Sequence, residues 1–185
     1  DWSSDVCSSD LEGFARKAIQ LNPNFAEAYC NLGNVLKDLG KLQDAEKSYR
    51  KAIQLNPNFA NAYSNLGNVL RVRGKLQDAE KSYRKAIALN PNFAQAYCNL
   101  GIILQDLGKL QDAEKSYRKA IQLNPNYAEA HSNLGNILSD LGKLQDAEKS
   151  CRKVIELNPN YANGHCNLGS ILQKLGKRSD ERRVG

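Results

Sequence analysis

Apolar residues between positions 26 and 39 fall at Ala26, Tyr29, Leu32, Gly33, Leu36 and Leu39, three and four residues apart. That spacing predicts an amphipathic helix with one apolar stripe. A second stripe, Leu42, Ala45, Tyr49, Ala52, Ile53 and Leu55, predicts a second helix. Gly40 between them predicts a left-handed stop. Asn56-Pro57 ends the second helix, because proline disfavours helical geometry at the residue before it. Asn24, with Glu27 three residues on, reads as the N-terminal cap of the first helix. In the second, Asp44 and Glu46 lie in the first turn and Arg50 and Lys51 further along, the polarity that suits the helix dipole. Glu46 and Arg50 also stand i to i+4.

The same pattern restarts at Ala60, Ala94, Ala128 and Ala162, and Pro23, Pro57, Pro91, Pro125 and Pro159 repeat its period of 34 residues. The predicted organisation is a half repeat at 12–25, full repeats at 26–59, 60–93, 94–127 and 128–161, and a first half at 162–177. A period of this size implies a stacked array in which each unit touches its neighbours. Gly33, Ala45 and Ala52 return as Gly67, Ala79 and Ala86 and as Gly101, Ala113 and Ala120. A helix-interior glycine costs on the order of 1 kcal/mol against alanine, so its return predicts close backbone packing opposite tyrosine.

The ends depart from the pattern. Residues 1–11 back-translate to a sequencing adapter, and residues 178–185 to nearly the reverse complement of its mate. Both stretches are read as adapter rather than protein, so Trp2 and Cys7 carry no functional meaning.

Composition adds limits. No apolar run is long enough to span a bilayer, so no membrane role is expected. Cys30, Cys98 and Cys166 share one repeat position, two repeats apart, and Cys151 stands where other repeats have tyrosine. Such spacing suits neither a zinc cluster nor a disulfide and predicts small packed thiols. The net charge is +6, or +8 with 23 bases against 15 acids once the two ends are set aside. First helices sum to about −1 and the second helices carry the excess, interleaved with acids, so a solvated outer face is expected and no nucleic-acid partner.

The series aromatic, Leu-Gly, Ala, Tyr, Ala and Pro over 34 residues resembles the tetratricopeptide repeat across residues 12–177. His131 and His165 depart at the first aromatic, Cys151 at the second, and Val154 at a small alanine. The resemblance implies an all-α fold, a right-handed α-solenoid of antiparallel helix pairs, with first helices lining a concave groove. It places Asn31, Asn65, Asn99, Asn133 and Asn167 there, beside Cys30, Ser64, Cys98, Ser132 and Cys166. Asn34, Asn68, Ile102, Asn136 and Ser170 follow on the same face.

An asparagine amide both donates and accepts, so such a ladder suits the backbone of an extended peptide. The array is similar to that of O-linked N-acetylglucosamine transferases, which use a ladder of this kind. The competing role is a bond from each asparagine to its neighbouring helix. KLQDAEKSYRKAI is identical at 41–53, 75–87 and 109–121, which favours repeated contacts over one specialised pocket. A carboxylate clamp is not expected, since Cys or Ser stands where its lysine would. No catalytic constellation, metal set or cofactor motif appears, and His131 and His165 read as packing substitutes. The expected function is therefore a protein-interaction scaffold that binds an extended peptide or partner segment in the groove. The alternative is the substrate-recognition array of a larger glycosyltransferase or sulfotransferase whose catalytic domain lies beyond it. Self-association through the C-terminal end and a cytoplasmic location are further expectations.

Overall fold

The computed structural model describes residues 8–184, with side chains described for 10–176; Trp2 and Cys7 lie outside the described residues. Among these the chain is all helix, in two compact units, Asp1–Pro91 and Asn92–Gly185. The first unit holds α1 (Ser8–Leu21), α2 (Ala26–Asp38), α3 (Leu42–Leu55), α4 (Ala60–Val72) and α5 (Leu76–Leu89). The second holds α6 (Ala94–Asp106), α7 (Leu110–Leu123), α8 (Ala128–Asp140), α9 (Leu144–Leu157) and α10 (Ala162–Val184). In the first unit α2 packs on α3, α3 on α4 and α4 on α5; in the second α6 packs on α7, α7 on α8, α8 on α9 and α9 on α10.

The packing follows the two stripes. Tyr49, Tyr83 and Tyr117 are wholly buried, as are Ala45, Ala52 and their equivalents. Each tyrosine ring lies flush on a glycine of the partner helix. A Cβ at Gly33, Gly67 or Gly101 would stand 2.6, 2.8 or 2.5 Å from the ring. Close approach thus explains the helix-interior glycine. The turn glycine acts differently: Gly40 has φ +73°, and Gly74, Gly108 and Gly142 match it within a degree. Gly40 N–H donates to Lys37 O at 2.9 Å and Lys41 N–H to Leu36 O at 2.8 Å, which closes the helix end.

Two sequence expectations need correction. Asn24 is not a cap: Phe25 precedes α2 and makes no side-chain capping bond. The asparagine before the proline shapes this turn instead. Asn22, Asn56 and Asn124 Oδ1 accept the N–H of Asn24, Asn58 and Asn126 at 3.1, 3.1 and 3.2 Å. A short amide can close on its own backbone two residues on and so competes with capping.

The second correction concerns the outer face. Glu46 and Glu114 are buried, not solvated. Glu46 pairs with Arg50 at 2.9 Å on its own helix, and with Lys75 at 3.2 Å and Arg73 in the next repeat. Glu114 likewise meets Arg118 at 3.0 Å and Lys143 at 2.7 Å. These carboxylates tie one repeat to the following turn. The last helix, α10, runs through Gly176 to Val184 without the turn seen in other repeats. Glycine permits the left-handed stop but does not impose it. In α10, Ile171 is buried while Leu172 is 42% exposed.

The buried glutamates predict acid sensitivity. Burial raises the Glu46 carboxyl, but bonds and charges from Arg50 and Lys75 outweigh it and hold the group below its ordinary value. Lys143 and Arg118 do the same for Glu114. A depressed folded value contributes stability above the unfolded pKa of about 4.3, lost as pH falls through the folded pKa. The thermal midpoint should therefore hold steady from about pH 7 to 5 and drop below about 4.3. The Glu46→Gln/Glu114→Gln variant should start lower at neutral pH and lose less on acidification. An equal acid loss in both proteins would contradict the assignment.

Candidate functional site

The first-helix face carries the asparagines singled out above, but they are not equivalent. In the first unit Asn31 on α2 is exposed and its side chain has no partner among the described residues. Asn34, one turn on, is half-buried because its carbonyl serves the core. Tyr49 Oη donates to Asn34 Oδ1 at 2.7 Å, and Asn65 Nδ2 on α4 donates to the same oxygen at 3.0 Å. Asn68 repeats the first half of this, accepting Tyr83 Oη at 2.7 Å.

In the second unit Asn99 on α6 is only 9% exposed and accepts Gln95 Nε2 at 3.1 Å. Ile102 stands where Asn34 and Asn68 stand in the first unit, so the Tyr117 hydroxyl turns to Gln105 Oε1 at 3.2 Å. Asn133 on α8 is half-buried; its counterpart Asn65 donates Nδ2 to Cys30 Sγ at 3.8 Å. Asn167 Nδ2 on α10 donates to Asn136 Oδ1 at 3.0 Å. Asn136 itself is exposed, since Cys151 supplies no hydroxyl to it.

Two orders of asparagine emerge. One class, seen in full at Asn34, holds its carbonyl toward the tyrosine of its own repeat and the amide of the next. The other donates its N–H backwards and leaves its own Oδ1, at Asn65 and Asn167, without a partner among the described residues. The bond to the neighbouring helix is therefore real at two places. It uses the donor half of the amide and orients the acceptor half.

The position beside the ladder is not a surface in every repeat. Cys30, Ser64 and Cys98 are buried, whereas Ser132 is half-buried and Cys166 exposed. Burial pushes the Cys98 thiol up to about 12 and raises Cys30 and Cys151 as well, so these are packed side chains rather than nucleophiles. His131 and His165 are tethers: their Nε2 atoms lie 2.9 and 2.8 Å from the carbonyls of Pro125 and Pro159. Among the described residues no cluster of His, Cys, Asp and Glu could hold a metal ion. No described helix is long and apolar enough to cross a membrane.

One well-formed cavity opens on this face in the second unit. It measures about 220 Å³, between Ala128, Glu129, Ser132 and Asn133 of α8, Val154 and Asn158 at the end of α9, and Tyr161 in the turn. On the second-helix side the clefts are shallower. Their bases are paired with acids: Arg50 with Glu46, Lys81 with Asp78 at 3.6 Å, and Lys153 with Glu156 at 2.6 Å.

These features define an all-α helical repeat protein built on tyrosine–glycine helix pairs. Family models described as tetratricopeptide repeat match residues 26–59, 94–127 and 128–161, and again 48–81 and 150–183; a further TPR repeat model matches 67–108. The chain belongs to the tetratricopeptide repeat family. Among solved structures it is similar to MamA, at 30% identity over 84% of this chain and 92% of that one, with a TM-score of 0.75. YrrB, described as a TPR protein with an unusual peptide-binding site, is 29% identical over 89% and 84% of the two chains, with a TM-score of 0.77. A pilF structure from Pseudomonas aeruginosa, 20% identical over 93% and 78% of the two chains, shares the fold with a TM-score of 0.84. A comparison with curated protein sequences gives no match.

Proposed function

We propose that the chain is a protein-interaction scaffold that holds an extended peptide on its first-helix faces through asparagine amides. The observation that carries this is the pair of inter-repeat bonds, Asn65 to Asn34 and Asn167 to Asn136, each 3.0 Å. Each fixes an amide so that its acceptor is already oriented before a peptide arrives, which lowers the ordering cost of binding. Asn31, exposed and without a partner, adds both a donor and an acceptor. The contacts address backbone, so the reading is one of broad sequence tolerance. The similarity to YrrB, itself described as having a peptide-binding site, supports it.

Asn31→Ala/Asn65→Ala should weaken capture of extended peptides roughly tenfold, the loss of one or two net hydrogen bonds. Helical circular dichroism should be retained. Unchanged affinity, or loss of fold in place of affinity, would assign these asparagines to structure alone.

A further inference from the structure

We propose that the cavity beside α8 is a side-chain subsite for a lysine or arginine of the bound peptide. This rests on the peptide reading above and names a chemistry for one of its positions. The cavity's lining departs from that of the preceding repeat. In the preceding repeat Cys98 is wholly buried and the Tyr127 side chain reaches it, so the equivalent space is filled. At α8 the corresponding residues are Ser132, half-buried, and Tyr161, 36% exposed. Two size changes accompany this: Val154 replaces alanine on α9, and Gly164 replaces alanine on α10. A Cβ at Gly164 would lie 3.2 Å from both Val154 Cγ1 and Tyr161 Cδ1. The floor thus gains bulk on α9 and loses it on α10.

The lining decides what fits. About 220 Å³ exceeds the roughly 30 Å³ share of one water several times over and accommodates a long side chain. Val154, Ala128 and the Tyr161 ring offer apolar walls for an aliphatic stem. Ser132, Asn133 and Asn158 offer acceptors, and Glu129 supplies a carboxylate. Lysine, arginine and histidine are all absent from the lining. Glu129 is steadied from its far side by the Tyr127 hydroxyl, 3.4 Å from Oε2. A cation satisfies the carboxylate and gains the tyrosine face. An acidic side chain would meet Glu129 as a like charge, and a purely apolar one would leave the rim amides and carboxylate desolvated.

The test uses the full chain and fluorescein-labelled peptides of about 12 residues, roughly 40 Å when extended, in a Ser/Ala/Thr background. One residue, set to Lys, Arg, Leu or Glu, is moved through every position, and affinity is read by fluorescence anisotropy. Lys or Arg at one position should bind roughly tenfold tighter than Leu there. Glu129→Gln should erase that preference and leave the Leu peptide within about twofold. Ser132→Leu, which fills the cavity, should erase it as well. Asp140→Asn removes the other acid of α8, outside the cavity, and should leave the preference intact. A basic preference that survives Glu129→Gln, or one that Asp140→Asn abolishes equally, overturns the subsite. Binding with no positional preference overturns it too while leaving the scaffold reading in place; no binding by any peptide overturns both.

Discussion

Tyr83→Ala is expected to destabilise the first unit by about 3–5 kcal/mol, the range for removing a large buried aromatic. The ring is wholly buried and lies against Gly67, which has no side chain to move into the void. The substitution also removes the bond from Tyr83 Oη to Asn68 Oδ1 at 2.7 Å. Tyr83→Phe separates the two contributions: it keeps the packing, removes the hydroxyl and should cost about 1 kcal/mol. Urea unfolding followed by circular dichroism reads both. Because repeat arrays unfold in parts, the alanine variant should show a separate early transition rather than a uniform shift. An alanine variant no worse than the phenylalanine variant would mean the ring does not hold the pair together.

At Gly101, valine should destabilise by the upper part of about 1–3 kcal/mol through overpacking. Even the first carbon would stand 2.5 Å from the Tyr117 ring, and that ring is enclosed on all sides. The same repeat position in α10 should respond with the opposite sign. A Cβ at Gly169 meets nothing within 4 Å among the described residues. Gly169→Ala should therefore gain up to about 1 kcal/mol from helix propensity alone. Thermal melts of Gly101→Val and Gly169→Ala, compared with the parent, check the pair. Equal effects at the two sites would show that backbone preference, not contact with tyrosine, governs the position.

The peptide-binding reading changed between sequence and structure at identifiable residues. The family resemblance placed Asn31, Asn65, Asn99, Asn133 and Asn167 on one face as equals. In the fold Asn99 is nearly buried, Asn31 is exposed, and Asn65 and Asn167 are each half committed to a neighbour. The tyrosine hydroxyl bond to Asn34 left no clear trace in the sequence. Tyr117 keeps its hydroxyl where Ile102 replaces the acceptor, and Asn136 keeps the acceptor where Cys151 removes the hydroxyl. The α8 cavity had signals in Val154, Ser132 and Gly164, each an exception to its repeat position. Only their meeting in space gives those exceptions a shared meaning.

What the sequence determined by itself is what depends on neighbours three or four residues away. The helix stripes and the turn glycines follow from that local period, repeated every 34 residues. The tertiary structure decided whatever depends on a partner in another repeat. Asn65 finds Asn34 across 31 positions and Lys75 finds Glu46 across 29. Identical segments such as 41–53 and 75–87 carry identical local instructions. Their side chains differ in burial and bonding because each meets different residues on the helix packed beside it. Hydrogen bonds and ion pairs are short-ranged and directional, so they are settled only when the repeats stack.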